Sequence, residues 1–190
     1  MLLPFADGDV DAATAAILTN KLLQLAGGAV YDENGKAQIV HDQKLEALDQ
    51  LIEEANGQPV LVFYNYKHEL DRLQARYPQA VHVKEENVVK RWNAKELPIL
   101  LANPASAGHG LNLQFGGHIA IWYSPTWNLE FFQQANKRLH RRGQTEPVLI
   151  HTLAAKGTID ERIYDIVLRD KEAGQNALLE AVKARIKEVT

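Results

Sequence analysis

Gln134, Arg138 and Arg141 stand at i, i+4 and i+7 in the stretch NLEFFQQANKRLHRRGQ, residues 128–144. On a helix that spacing puts two guanidiniums and an amide near one line of one face. Lys137, His140 and Arg142 flank them. Such a face suits an anionic, forked ligand, because a guanidinium donates two parallel charge-assisted hydrogen bonds to phosphate. Helix signals stand at both ends: Asn128 can cap the start, Glu130 complements the positive helix end, and Gly143 can stop the run. Phe132, Ala135 and Leu139 predict an apolar stripe that packs on a core. The competing reading of the same residues is a solvated basic helix face.

Two other stretches have the composition of ligand contacts. Residues 103–113, NPASAGHGLNL, follow an apolar run and are rich in small residues. Gly108 and Gly110 let the backbone approach a ligand and present amide donors, and Ser106 and His109 can add side-chain contacts to phosphate. An ordinary tight loop would have the same composition. The run PVLVFYN, residues 59–65, ends in Tyr64 and Asn65, which are expected to face the ligand edge, with Phe63 in the core. Trp127 reads as a packing anchor, since stacking on bases belongs to single-strand readers. Thr158 and Glu161 have the spacing of a capping box, which makes Asp160 and Glu161 helix-start residues rather than catalytic acids.

These stretches need a scaffold, and the apolar patterning predicts one. Helices are expected over residues 12–26, stopped by Gly27-Gly28, and over 41–55. A turn at Asp32–Gly35 is flanked by short extended pieces. From residue 59 onward short apolar runs alternate with helical ones. Strands are expected at 59–64, 80–83, 97–102, 118–123 and 147–153; helices are expected at 67–76, 85–94, 128–144 and from 158 to about 187. Strand–helix alternation implies an α/β fold with a doubly wound parallel sheet and right-handed crossovers. Ligands then sit beyond the carboxyl ends of the strands, where the loop after Ala102 and residues 124–127 would both open.

Composition sets the outer bounds. The chain of 190 residues is 46% hydrophobic, enough for one full-sized core, and it has no Cys, which removes thiol catalysis, disulfides and thiolate metal sites. No apolar run reaches the length of a membrane span, and a cytoplasmic protein is the simplest reading. The net charge of −3 argues against a generally basic nucleic-acid coat, so any DNA contact must rest on a local patch.

Taken in order, the motifs resemble a known family. Q-A-x-x-R-x-x-R-x-G-Q, residues 134–144, resembles motif VI of the superfamily-two helicase-like ATPases, specifically the Swi/Snf-type DNA translocases, and the Gly-Gln ending is what makes the match specific. ASAGHGLNL resembles motif V, with His109 as a departure in a shorter, less glycine-rich run that looks like a compact phage- or bacterial-type branch. VLVFYN resembles motif IV, the Trp127-Asn128 pair matches the family's W-N, and Thr158-Ile159-Asp160-Glu161 resembles its T-I-[DE]-E segment. The resemblance covers roughly residues 41–172 and extends more loosely to 12–40.

The resemblance implies a second RecA-like lobe. In the intact enzyme ATP and Mg²⁺ would lie between two lobes, and Arg141 would serve as an arginine finger with Arg138 as its catalytic neighbour. Gln134, Gly108 and Gly110 would position the nucleotide; Tyr64, Asn65, Ser106 and His109 would contact the backbone of duplex DNA. The chain contains no G-x-x-x-x-G-K-[ST] loop, for neither Gly27-Gly28 nor Gly108-His109-Gly110 is followed by the lysine, and it has no acidic pair for Mg²⁺. The lobe that binds ATP is therefore expected as a separate partner, and these residues alone are expected to be inactive and to bind neither ATP nor metal. The implied organisation is an N-terminal extension over 1–40, the lobe over 41–172 and a C-terminal helix within 173–190. Two alternatives remain at this point: a stand-alone nucleic-acid-binding or regulatory module, and an unrelated nucleotide-binding phosphotransferase.

Overall fold

The computed structural model describes residues 12–107 and 110–169. The apolar run around Leu61 becomes β3 (Val60–Phe63), the middle strand of a five-stranded sheet, paired in parallel with β5 (Ile99–Ala102) and β6 (Ile119–Trp122). β4 (Val81–His82) and β7 (Leu149–Thr152) complete the order β4-β5-β3-β6-β7, every pairing parallel. The expected doubly wound sheet is present. All four residues of β3, β5 and β6 are buried because both faces of the sheet are covered.

Alternate strand residues enter different cores, as the two-residue period requires. Leu61, Phe63, Leu100, Ala120 and Trp122 face a core built with α1 (Ala12–Ala26), α4 (Val88–Asn93), α6 (Leu129–Asn136) and α7 (Ile159–Arg169). Val60, Val62, Ile99, Leu101 and Ile121 face the other, under α2 (Gln43–Glu54) and α3 (Lys67–Arg76). Trp92 and Trp122 are both fully buried, and each indole N–H finds an acceptor, Leu113 O at 2.8 Å and Asn136 Oδ1 at 2.9 Å. Gly116 and Gly117 lie under the Trp92 ring, so close that a Cβ on Gly116 would be 2.4 Å from the indole.

The N-terminal extension is joined to this lobe by specific contacts. α1 ends at the expected Gly27-Gly28, and β1 (Ala29–Tyr31) pairs antiparallel with β2 (Ala37–Ile39) across the expected turn. Arg72 Nη1 and the Tyr123 hydroxyl both donate to Gly27 O, at 2.8 and 3.1 Å, which fastens the end of α1 to α3 and to the end of β6. No helix among the described residues is long and apolar enough to cross a membrane.

Three expectations change. The helix expected over 128–144 ends at Asn136. Beyond it Arg138 N and Leu139 N donate three residues back, to Ala135 O and Asn136 O, and Arg141 N donates to Leu139 O. Tertiary anchors override the helical pattern there: Asn136 accepts the Trp122 indole, Leu139 is fully buried, and Gly143 takes a positive φ of 100° beside Phe115. Second, the loop after β5 opens with a helical turn, α5 (Pro104–Ala107), begun by Ala105 N donating to Asn103 Oδ1 at 3.0 Å. Third, α4 starts at Val88 rather than residue 85, after Asn87 at φ 57°. The helix expected to run on to about 187, and the C-terminal one within it, lie outside the described residues past Arg169.

Candidate functional site

Two regions collect the residues singled out in the sequence. The first is an open cleft of about 460 Å³ beyond the carboxyl ends of β3, β5 and β6, lined by Asn65, Asn103, Pro104 and Ala105 on one side and Thr126, Trp127, Asn128 and Phe131 on the other. The loop after Ala102 and the approach to α6 do meet on one edge. Asparagine amides hold its walls together. Asn103 Nδ2 donates to Asn65 O at 3.1 Å and Tyr64 O at 3.3 Å, while Asn65 Nδ2 donates to Pro125 O across the cleft floor. Asn128 caps α6 by accepting Phe131 N at 3.0 Å.

Beneath this floor lies a carboxylate that the sequence did not reveal. Glu69 is fully buried; its Oε2 accepts Asn65 N at 2.8 Å, Tyr66 N at 3.1 Å and the Ser124 hydroxyl at 2.8 Å. Burial pushes its carboxyl above the usual range, opposed by those donors and by the Lys44 charge. Lys44 itself pairs with Asp160 at 2.5 Å, both nearly inaccessible to solvent, and Asp160 Oδ2 also accepts Ala155 N. Asp160 is thus a buried ion-pair partner, not merely a helix-start residue. Lys44 and Asp160 are too distant in the chain for any local signal to join them. Glu69 stands three residues after Tyr66, the spacing of a capping box, but without the Ser or Thr that marks one.

Tyr64 is corrected. Its ring is buried in the core under α3 and its hydroxyl meets His82 Nε2 at 2.9 Å, so it supports the edge from inside instead of facing it. The alternation that sends Phe63 to one core sends its neighbour to the other. Asn65, one residue further, does reach the cleft. Ser106 lies on α5 at the same edge. Gly110 has φ 67° with open space where a Cβ would sit, so the backbone turn, not crowding, calls for glycine. Gly108 and His109 lie outside the described residues.

The second region is the arginine turn. Gln134, Lys137, Arg138, His140, Arg141 and Arg142 surround one open depression of about 510 Å³. The helix that was to align them is only partly formed, yet the tight turn after Asn136 brings the same side chains together. Arg141 Nη1 donates to Asn112 Oδ1, and Gln134 Nε2 donates to Glu130 Oε1 at 2.7 Å. Gln144 fixes the end of the turn by donating to Gln114 O at 2.9 Å and Gly117 O at 3.0 Å. The turn therefore packs on the strap that leads into β6, at the opposite end of that strand from the cleft. Asn112 is a partner the sequence reading did not single out.

Comparison with known proteins agrees with this architecture. Residues 43–143 match the family model of the helicase conserved C-terminal domain. A putative protein p41 of Acyrthosiphon pisum secondary endosymbiont phage 1 is 39% identical over 97% of this chain and 42% of its own length. The chromatin-remodeling ATPase INO80 of Mycosarcoma maydis is 34% identical over 70% of this chain and 8% of its own. The chain thus spans less than half of either relative. The crystal structure of the C-terminal part of the Fun30 ATPase domain superposes with a TM-score of 0.61 at 22% identity, over 76% of this chain and 54% of that one, which shows the shared fold. The parallel sheet, its flanking helices and these matches together mean that the chain belongs to the helicase C-terminal domain family, as the second RecA-like lobe of a Swi/Snf-type superfamily-two ATPase.

Proposed function

We propose that this chain is the second motor lobe of an ATP-dependent translocase on double-stranded DNA, working against an ATPase lobe that carries the phosphate-binding loop. One observation supports it above others: three arginines, a lysine, a histidine and Gln134 surround a single depression on a protein of net charge −3. So dense a local cation cluster fits a polyphosphate, and its forked donors fit the charge that develops during phosphoryl transfer. Arg141 is the arginine finger, with Arg138 and Gln134 orienting the nucleotide. ATP held between the lobes supplies the phosphoryl group, and Mg²⁺ belongs to the partner lobe, because among the described residues no acidic cluster that could hold a metal stands beside the arginine turn.

The carboxyl-edge cleft is assigned to the duplex backbone. Asn65, Ser106 and the loop carrying Gly108, His109 and Gly110 meet phosphates there through hydrogen-bond donors, giving sequence-independent binding. Hydrolysis by the 190-residue chain alone, and by the same chain joined to an ATPase lobe, each with and without duplex, tests the reading. The chain alone should be inactive, and the joined protein should be stimulated by duplex. Turnover by the chain alone would refute the second-lobe assignment, and normal stimulated turnover in joined Arg141→Ala would refute the finger.

A further inference from the structure

We propose that Glu69 is the positioning residue of the carboxyl-edge cleft: its buried carboxylate sets the spacing of the loops that line the cleft, and so the strength with which they hold a phosphodiester backbone. The inference rests on the reading of that cleft as the DNA-facing edge.

The geometry is that of a hub. A single oxygen, Glu69 Oε2, accepts two consecutive backbone amides after β3 and the hydroxyl of Ser124 after β6. Asn65, whose amide is one of the two, carries the constraint outward. Its side chain donates to Pro125 O and Ser124 O, and its carbonyl receives Asn103 Nδ2 from the loop after β5. The loops after β3, β5 and β6 thus converge on Asn65, and Asn65 is held by Glu69. All three donors converge on this one oxygen. No solvent reaches it to compete.

The other oxygen lies against the end of α1. Glu69 Oε1 faces Gly27, where an added Cβ would lie 2.6 Å away, so a side chain at Gly27 would displace the carboxylate. Among the described residues Oε1 has no hydrogen-bond partner. The three productive contacts all run through Oε2, and these are the contacts a glutamine could keep. A glutamine oxygen in that place still accepts all three donors, and its amide nitrogen takes the position of Oε1. Alanine keeps none.

Two measurements on the 190-residue chain decide the matter: hydrogen exchange at individual backbone amides, and anisotropy of a fluorescein-labelled duplex. Glu69→Ala should speed exchange at Asn65 and Tyr66 and weaken duplex binding by roughly tenfold, as for one or two misplaced phosphate contacts. Glu69→Gln should keep both within about twofold of the wild type, since one acceptor oxygen suffices. If Glu69→Ala compromises folding, Ser124→Ala removes one of the three donors and should weaken binding by about threefold with global stability largely retained. Unchanged exchange at Asn65 in Glu69→Ala, or Glu69→Gln as defective as Glu69→Ala, overturns the positioning role. A wild-type chain that ignores the duplex while Glu69→Ala still loosens Asn65 refutes the DNA reading of the cleft and its link to Glu69, and that result differs from a failure of the hub itself.

Discussion

The cleft beyond β6 and the arginine turn before it are built in opposite ways, the first from neutral side chains and the second from cations. None of the described residues lining the cleft carries a charge, and its asparagine amides are committed to backbone carbonyls, so its shape is set in advance. The arginine turn gathers five basic side chains around an open depression and relies on a few side-chain contacts, such as Arg141 to Asn112, for its alignment. The difference teaches where each would fail. The cleft should lose function when its internal hydrogen bonds go, and the turn when its charge goes.

The largest effect should come from the turn. Arg141→Ala in the two-lobe protein should lower kcat by about 10³-fold or more, the scale of an arginine finger, with the duplex concentration for half-maximal stimulation unchanged. A shift in that concentration instead of kcat would erase the distinction between the two regions. Next comes the support behind the cleft. Lys44→Met strands Asp160 as an unpaired buried charge and should cost about 3–5 kcal/mol of stability in denaturant unfolding. The double change with Asp160→Leu should recover most of it.

Smaller effects separate shape from charge more finely. Asn103→Ala leaves Asn65 O and Tyr64 O without their amide donor and should cost about 1–3 kcal/mol, measured by thermal unfolding. Arg142→Ala, on an exposed stretch of the turn, should move stability by less than about 0.5 kcal/mol. Any contribution it makes to duplex binding should appear as a salt slope reduced by about one.

His68 gives the pH dependence. It is 2% exposed, stacked on Tyr66, and burial beside the Arg72 charge pushes it down to about 4. Unfolded, it titrates near 6.5, so between those values the unfolded chain binds the extra proton. Its contribution to stability is complete above about pH 6.5 and is lost as pH falls toward 4. Burial shifts Glu69 upward, which acts in the opposite sense. The difference between wild type and His68→Phe across that range therefore isolates the histidine, and identical melting profiles for the two would remove it as a source of acid sensitivity.

Much of this was legible from local pattern. The four-residue apolar runs at Leu61, Leu100 and Ile121 could be satisfied only by a sheet covered on both faces, and Gly27-Gly28 ended α1 where expected. The gathering of Gln134, Arg138 and Arg141 was legible too, because their order brings them around one depression even where the helix does not form. Tyr64 was misread because its strand's alternation decides its direction one residue before the chain turns outward.

What the sequence determined by itself was the order of elements, the parallel sheet and the cation-rich stretch, since each is written in neighbouring residues through a short repeat. Tertiary structure decided the rest. Asn136 ends α6 where Trp122 needs an acceptor, Lys44 meets Asp160 across the fold, and Glu69 becomes a hub only when the ends of β3 and β6 and the end of α1 close over it. Those outcomes depend on which groups are buried together, and burial of a polar group forces a partner on it wherever in the chain that partner lies.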